Sequence, residues 1–261
     1  MEDLEYWVWI SKIKKLGSIK AQRLLETYKN PKQIWDAKKE DLLKIEGIGE
    51  KIVEEILSNK YRIGLKEEIK KMKKEKVELI SIYDEIYPKN LKEIYDKPIC
   101  LYVKGNKEIL NEFSLAMIGC RENSTYGKEV ATAVAKGLAK NNIITVSGLA
   151  RGIDSISHKE TLKQGGKTIA VIGSGLDIIY PYENTNLANE IIKTGGLVIS
   201  EYPLGTKPAK MHFPARNRII SGLSSGLIVI EAKKKSGTMT TVDFALEQGK
   251  TVFAIPRKYN K

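Results

Sequence analysis

One basic segment of the sequence combines residue types that suit a flexible polyanion. Residues 207–222, KPAKMHFPARNRIISG, surround one aromatic residue, Phe213, with four cations and one amide. These are Lys207, Lys210, Arg216, Arg218 and Asn217. Cations spaced around an exposed ring can bind the phosphates of a nucleic-acid strand while the ring stacks on a base. The alternative is a positively charged loop that caps a helix, with Phe213 buried.

The few arginines of the chain are placed unevenly. The chain has 37 Lys and 7 Arg, and a formal net charge of +12. Four arginines fall in segments that are expected to be loops: Arg121, Arg151, Arg216 and Arg218. A guanidinium offers a planar fork of donors for phosphate or carboxylate, which an ammonium does not. The net charge also favours a polyanionic partner, although lysine-rich coding would produce the same charge.

Residue sets for catalysis or metal binding are weak. The chain has two histidines, and Asp154 and His158 lie four residues apart, which places them on one face of a helix. A serine nucleophile beside this pair is conceivable, but an aspartate at a helix start is more typical of a cap. The two cysteines, Cys100 and Cys120, form no metal-ligand pattern and no disulfide framework. We therefore expect no metal site.

Glycine-rich loops for a nucleotide cofactor are incomplete. Gly173-Ser174-Gly175 is followed by Ile178, where a dinucleotide fingerprint requires its third glycine. The GGKT sequence at 165–168 has Thr161 at the first glycine position of a phosphate-binding P-loop. We expect no cofactor.

The elements that carry these residues alternate between short apolar runs and amphipathic helices. The predicted strands are 114–120, 143–149, 167–173, 197–203, 226–232 and 251–256. The predicted helices between them are 127–140, 154–164, 184–194, 216–223 and 239–248. This alternation predicts an α/β fold, a Rossmann-like doubly wound and mainly parallel sheet, with edge strands from residues 78–105. Ligands of such sheets bind beyond the carboxyl ends of the strands.

The first part of the chain reads as short helices. We predict a small all-α domain over residues 1–65 and a Rossmann-like domain over 66–261, with its core at 110–256. In LLKIEGIGEKIVEEIL, residues 42–57, Gly47 and Gly49 resemble the turn of a helix-hairpin-helix (SAM-like) motif. Such a turn brings backbone N–H groups to a phosphate, so Gly47, Gly49 and Lys51 are a possible second DNA contact. The alternative is a simple tight turn.

No targeting signal is apparent. The sequence contains no run of about 18 apolar residues, which a membrane helix requires, and its start lacks the features of a secretory signal. Together with the two cysteines, these features predict a cytoplasmic protein without a membrane partner.

Six segments together carry a family resemblance. They are IGCRENSTYG (118–127), SGLARGIDSISHKETL (147–162), TIAVIGSGLDIIYPYEN (168–184), SEYPLGTKP (200–208), HFPARNRIISGLSSGLIVIEA (212–232) and SGTMTTVDFALEQGKTVFAIP (236–256). In this order and spacing, the stretch 114–256 resembles the DNA-processing protein A (Smf) family of natural transformation. The helical start also fits that family.

The resemblance implies a function and a site. It implies a protein that binds and protects incoming single-stranded DNA without catalysis, and that helps to load the RecA recombinase. The family's phosphate-binding turn corresponds to Gly119-Cys120-Arg121, where Cys replaces Ser. Lys210 and Phe213 fall on its phosphate-gripping and base-stacking positions. The remaining implied contacts are Arg216, Asn217, Arg218, Ser147, Gly148, Ser236, Gly237 and Thr238.

Two further expectations complete the prediction. Family members usually continue beyond the last strand, whereas here Lys261 follows Pro256 closely, so we expect the family's C-terminal extension to be lacking and a homodimer to be in doubt. The alternative function is a nucleotide-processing enzyme of the phosphoribohydrolase kind, with Glu201 or Glu231 as its catalytic carboxylate. A scaffold without DNA affinity is a third reading.

Overall fold

The computed structural model describes residues 3–233 and 236–256, which form one eight-stranded sheet with helices on both faces. The strands are β1 (Glu78–Ser81), β2 (Cys100–Gly105), β3 (Ser114–Gly119), β4 (Ile144–Ser147), β5 (Thr168–Val171), β6 (Leu197–Ser200), β7 (Gly226–Glu231) and β8 (Thr251–Ala254). The helices before β3 are α1 (Leu4–Lys12), α2 (Gly17–Tyr28), α3 (Pro31–Asp36), α4 (Lys39–Leu43), α5 (Glu50–Leu57), α6 (Leu65–Lys74) and α7 (Lys89–Lys92). The later helices are α8 (Thr125–Lys140), α9 (Ile153–Lys163), α10 (Thr185–Lys193), α11 (His212–Leu223) and α12 (Gly237–Glu247).

The sheet has the order β1-β2-β6-β5-β4-β3-β7-β8. The six strands from β3 onward pair in parallel, whereas β1 and β2 pair antiparallel and extend the sheet beyond β6. The four strands β4, β5, β6 and β2 are almost entirely buried, as expected for strands covered on both faces. The predicted Rossmann-like doubly wound fold is confirmed.

The N-terminal helices pack against the antiparallel end of the sheet. One buried apolar cluster includes Trp9 of α1 together with Tyr102 of β2. The hydroxyl groups of Ser11 and Tyr102 lie 2.7 Å apart, and the Gln22 side chain donates to Lys97 O at 2.9 Å. The predicted domain boundary falls at the start of α6, which is itself ion-paired to α1 through Lys12 and Glu68. None of the helices in residues 3–233 and 236–256 is long and apolar enough to cross a membrane.

One element differs from its predicted bounds in a way that matters for the site. Helix α11 begins at His212, four residues before the predicted start, so Phe213 lies in its first turn. Pro214 does not prevent this because a proline in the first turn removes an N–H group that has no helical acceptor. The basic segment therefore consists of a short non-helical stretch, 207–211, followed by a helix. The helix determines the directions of the side chains from His212 onward.

Candidate nucleic-acid interface

The carboxyl ends of the parallel strands converge where the strand order reverses. The chain places β4, β5 and β6 on one side of β3, and β7 and β8 on the other. The loops after β3 and its neighbours therefore meet above the centre of the sheet, where doubly wound folds bind their ligands.

A small pocket of about 40 Å³ opens at this point. Its lining residues are Arg121, Gly148, Ala150, Arg151, Gly173, Tyr180, Pro181, Phe213 and Arg216. A single water needs roughly 10–15 Å³ of such space, so the pocket admits one small group and not a nucleoside. Its three arginines favour an anionic group.

Arg216 forms the floor of the pocket. Its side chain is only 5% exposed, and Nη1 donates to Gly148 O at 2.6 Å and also to Val171 O. Burial lowers the pKa of Arg216 to about 10, and the Asp154 carboxylate opposes that shift. The guanidinium is therefore charged at neutral pH. Burial also raises the pKa of Asp154, whose carboxylate accepts from Ala150 N at 3.3 Å.

Two exposed arginines stand at the rim. Arg151 binds Glu183 with both arms of its fork, at 2.5 and 2.8 Å, which neutralises much of its charge. Arg121 forms no salt bridge within residues 3–233 and 236–256. Arg121 is thus the rim cation that is most available to a ligand.

An aromatic pair forms the opposite rim. The rings of Tyr180 and Phe213 have centroids 5.5 Å apart and are tilted by 40°. Tyr180 is 47% exposed, and Phe213 is half-buried rather than enclosed in the core. Two partly exposed rings beside three guanidinium groups provide a surface on which an unpaired base can stack.

Several predicted site residues do not line the pocket but form hydrogen bonds between the elements that surround it. The hydroxyl of Ser147, at the end of β4, donates to Met117 O at 2.7 Å and is fully buried. Thr238, in the first turn of α12, donates to Gly119 O at 3.1 Å, and Asn217 Nδ2 donates to Gly237 O at 3.3 Å. Ser236 donates to Lys233 O at 2.8 Å. These contacts connect the ends of β3 and β7 with α11 and α12.

Cys120 also has a structural setting. Its backbone N–H donates to Glu231 O at 2.8 Å and its Sγ donates to Glu122 O at 3.2 Å. Burial raises the pKa of the thiol, so it stays protonated at neutral pH. The side chain that replaces the family's serine is therefore turned into the protein, and only the following residue, Arg121, reaches the pocket.

Lys210 is exposed just before α11 but does not line the pocket. Lys207 lines a separate, larger cavity. Both lysines remain candidates for contacts with a strand that leaves the pocket.

Arg218 lies away from the pocket, although it was predicted to contact DNA. It is 5% exposed, and its two terminal nitrogens donate to the Glu201 carboxylate at 2.8 and 2.6 Å. Its Nε lies 3.1 Å from the Asp96 carboxylate and donates to Asp96 O at 3.0 Å. These carboxylates leave no donor fork for a phosphate, so we assign Arg218 to folding.

Replacing Arg218 with alanine should therefore affect stability rather than binding. It leaves the Glu201 carboxylate, whose side chain is 17% exposed, without its partner. We expect a loss near the lower end of the about 3–5 kcal/mol that is typical when one member of a buried pair is removed. Urea unfolding followed by circular dichroism measures the loss, and titration of the folded protein with an oligo-dT short enough to bind at the pocket alone should return the wild-type affinity. A stable variant with weakened DNA binding would contradict this assignment.

The two carboxylates that a phosphoribohydrolase-like enzyme could use, Glu201 and Glu231, both accept hydrogen bonds from other groups of the chain. Glu201 is bound by Arg218, as described. Glu231 Oε2 accepts from Ser124 N at 2.9 Å and from Ser124 Oγ at 3.1 Å, so it occupies the N-terminus of α8. A phosphate or a carboxylate is the usual occupant of such a helix end. The phosphate position of a nucleotide-binding Rossmann fold is thus filled by the chain's own side chain.

Asp154 and His158 are not arranged as a catalytic pair. Helix α9 begins at Ile153 with Gly152 as its N-cap, so Asp154 lies in the first turn and does not cap the helix. His158 is fully buried, and its Nδ1 lies 2.7 Å from Thr168 Oγ1. Within the described residues no group of three or more His, Cys, Asp or Glu side chains is placed to hold a metal ion.

The buried histidine predicts a pH effect on stability. Burial and the Arg216 charge lower the pKa of His158 to about 3, whereas it is about 6.5 in an unfolded chain. Below pH 6.5 the unfolded chain binds a proton that the folded protein does not, so stability falls as the pH falls. Between pH 7 and pH 5 this contribution is about 2 kcal/mol.

A His158→Gln variant separates this effect from that of other groups. Urea unfolding at pH 7 and pH 5 should show that acidification destabilises the variant by about 2 kcal/mol less than the wild type. The raised pKa of Asp154 acts in the opposite direction, but it is present in both proteins. Equal losses in the two proteins would show that His158 is not held neutral.

The predicted second DNA contact lies in the N-terminal helices. Gly47 has a φ of +79°, and Gly49 is the N-cap of α5. Both glycines and Lys51 are exposed. The Arg23 guanidinium lies over this turn and donates to Glu46 O at 3.1 Å. The turn is thus open to solvent, and its DNA contact stays a prediction.

Sequence reasoning missed five lining residues, namely Ala150, Arg151, Gly173, Tyr180 and Pro181. Arg151 is one of the four arginines whose placement the sequence already marks as unusual, and this signal was sufficient to add it to the predicted site. Tyr180 precedes Pro181 in the segment after β5, and its position beside Phe213 depends on the path of that loop.

Family models identify both parts of the chain. The model of the DNA recombination-mediator protein A family matches residues 78–261, more than half of the chain. The chain belongs to this family. A model of the SAM-like helix-hairpin-helix tandem matches residues 10–59, which confirms the predicted class of the N-terminal helices.

Named relatives agree with this membership. The DNA processing protein DprA of Streptococcus pneumoniae is 50% identical over 67% of this chain and 62% of its own length. Protein Smf of Synechocystis is 35% identical over 96% of this chain and 64% of its own length. The chain thus spans less than two thirds of the length of these relatives.

Solved structures extend the similarity to three dimensions. The X-ray structure of DprA from Streptococcus pneumoniae superposes with a TM-score of 0.83 and 40% identity, covering 97% of this chain and 87% of that one. A structure of DNA processing protein A from Helicobacter pylori, described for its single-stranded DNA binding mode, has a TM-score of 0.64 and 34% identity. It covers 71% of this chain and 83% of that one. The recombination-mediator fold is therefore shared over nearly the whole chain.

Proposed function

We propose that this chain binds single-stranded DNA at the pocket, without catalysis, as a mediator of recombination. The observation that carries the proposal is that three guanidinium groups and a partly exposed aromatic pair lie together at one small pocket. Family membership and the single-stranded DNA binding of the Helicobacter pylori relative support it.

The geometry favours a single strand over a duplex. A pocket of about 40 Å³ takes one phosphate at a time, with Arg216 beneath it and Arg121 at the rim. Tyr180 and Phe213 can stack on a base only if that base is unpaired. Affinity then comes from charge and stacking, so it falls with salt and depends little on sequence.

Direct titration tests this function. Fluorescence anisotropy of labelled oligo-dT and of its duplex, from about 50 to 200 mM salt, covers the range over which phosphate-dominated binding falls steeply. We expect salt-sensitive binding of the single strand and weak binding of the duplex. Absence of single-strand binding at low salt would remove the proposed function.

Three substitutions test the site. Phe213→Ala should cost roughly 1–3 kcal/mol of binding free energy because a stacked base is lost. Arg121→Ala and Lys210→Ala should each make the salt dependence of log K less steep by about 0.7 for one lost phosphate contact. Lys193→Ala, at the exposed end of α10, is the matched control. If all three variants bind like the wild type, the site is elsewhere.

Beyond DNA binding, we propose a role in recombination. As a mediator, the bound chain protects the strand and helps RecA to assemble on it. The support is membership of the recombination-mediator family. An assay of RecA nucleation on oligo-dT, with wild type and Phe213→Ala in parallel, should show faster nucleation only with the wild type. Equal rates with and without the protein would contradict this role.

Self-association is part of the proposal. Strand β8 forms the open edge of the sheet in the described chain, and its Phe253 is exposed. Leu246, in the last turn of the preceding helix α12, is exposed as well. A second copy that covers this edge would bury both side chains, as edge strands commonly require. Sedimentation equilibrium should report a dimer, and a monomer at all concentrations would contradict it.

A further inference from the structure

A second and larger cavity is a cleft between the N-terminal helices and the sheet. Its volume is about 1170 Å³, far larger than that of the pocket. One wall is the segment from α1 to the start of α2, and the other runs from residue 201 to the first turn of α11. We call this cavity the interdomain cleft.

The interdomain cleft carries an excess of positive charge. Five lysines line it: Lys12, Lys14, Lys15, Lys60 and Lys207. Glu201 is the one carboxylate among its lining residues, and Arg218 already binds that group. Outside the lining, Glu55 and Glu68 pair with three of the lysines, whereas Lys14 and Lys207 form no salt bridge within the described residues. The unbalanced charge suits a polyanion.

The walls between these cations are apolar and aromatic. The Tyr202 ring stacks on the His212 ring, with centroids 4.2 Å apart and planes 26° apart. Met211 stands at the mouth with 75% of its surface exposed, although it is a large apolar residue. Flat and flexible apolar side chains beside lysines provide stacking surfaces for bases together with contacts for phosphates.

The first turn of α11 lies between the cleft and the pocket. Phe213 lines the pocket, while the preceding residue, His212, lines the cleft. His212 Nδ1 lies 3.2 Å from the carbonyl oxygen of Gly173, which itself lines the pocket. A strand that stacks on Phe213 therefore needs to pass only over the first turn of α11 to enter the cleft.

We propose that the interdomain cleft is a second binding segment for nucleic acid, which takes the continuation of the single strand held in the pocket. This inference rests on the proposed function. Lys14, Lys15 and Lys207 contact its phosphates, and its bases lie against Tyr202 and Met211. The N-terminal helices thus contribute to DNA binding through the side that faces the sheet.

Oligonucleotide length separates the two segments. A six-nucleotide oligo-dT can bind with one phosphate in the pocket and a base on its aromatic rim, and in this proposal only a longer oligo-dT, of twenty nucleotides, also reaches the cleft. The test variant is Lys14→Gln/Lys15→Gln/Lys207→Gln. The control, Lys136→Gln/Lys140→Gln/Lys193→Gln, removes the same charge from exposed positions on α8 and α10 that line neither cavity. Thermal unfolding of both variants verifies that each is folded before titration.

We expect the test variant to bind the long oligonucleotide at least tenfold more weakly and the short one as the wild type does. The salt dependence of log K for the long oligonucleotide should become less steep by about 2, which is three single-strand phosphate contacts. The control variant should bind both lengths as the wild type does.

Three results would overturn the proposal, and they differ from failure of the proposed function. Wild-type behaviour of the test variant at both lengths would leave the pocket as the DNA site and remove the cleft. An equal loss at both lengths would show that the lysines do not act on a separate segment. Unchanged DNA binding with lost binding of a labelled oligoglutamate would assign the cleft to an acidic polypeptide. If the wild type binds neither oligonucleotide, the proposed function itself fails.

Discussion

Replacing Arg216 with methionine is expected to abolish tight single-stranded DNA binding and to destabilise the fold. The guanidinium donates to the carbonyl oxygens of Gly148 and Val171 and faces the buried Asp154 carboxylate. Methionine fills the space but leaves the carboxylate and both carbonyl groups without their partner. Each hydrogen bond from a charged group contributes about 1.5–3 kcal/mol, and the Asp154 charge loses the cation that compensates its burial.

Two measurements separate the effects of this substitution. Urea unfolding gives the loss of stability, and anisotropy with oligo-dT at low salt gives the loss of affinity, which should be at least tenfold for a lost charged hydrogen bond of about 1.5–3 kcal/mol. Arg216→Lys retains the charge without the fork and should show an intermediate defect in both. Wild-type stability and affinity in the methionine variant would refute the role given to Arg216.

Replacing Gly148 with alanine should displace the side chains that form the base of the pocket, and thereby weaken DNA binding. A Cβ atom at this position would lie 2.6 Å from Asp154 Oδ2 and 2.8 Å from Arg216 Nη2. Both side chains are buried, so neither can move into solvent to make room. We expect overpacking to cost about 1–3 kcal/mol of stability. Displacement of the Arg216 fork should also weaken DNA binding tenfold or more.

Gly137→Ala is the control for this substitution. Gly137 lies in α8, and a Cβ atom added there meets no atom within 4 Å. Alanine at an exposed helix position should stabilise the protein by about 0.5–1 kcal/mol without changing DNA affinity. Titration with oligo-dT compares the DNA affinities of the Gly148→Ala and Gly137→Ala variants. Equal affinities would show that Gly148 does not shape the binding site.

The elements of the parallel sheet could be predicted because each depends on local patterning. All six strands from residue 114 onward occur where apolar runs were found, and each observed strand is one to three residues shorter at its carboxyl end. The difference arises because the chain turns away from the sheet to form the loops of the site. Helix α11 begins four residues before its predicted start, because Pro214 is compatible with the first turn of a helix.

Helix geometry also separates two arginines that the sequence motif places together. Two residues apart on a helix lie about 200° apart around its axis, so Arg216 and Arg218 point to opposite sides. Arg216 reaches the pocket, and Arg218 reaches Glu201 and Asp96. Both arginines had been predicted to contact DNA because the family resemblance implied contacts for the whole segment, and a sequence motif does not record the side of the helix on which each residue lies.

By itself, the sequence determined the fold class, the helical N-terminal domain, the family and four pocket residues, Arg121, Gly148, Phe213 and Arg216. These follow from hydrophobic periodicity, residue types and motif order, which are all local properties of a chain. Only the tertiary structure decided which of the charged side chains remain available to a ligand. Glu201, Glu183 and Glu231 come from distant segments, and their positions neutralise Arg218, partly neutralise Arg151 and fill the N-terminus of α8. The pairing of charges depends on distances in space, and the spacing of residues along the chain does not contain those distances.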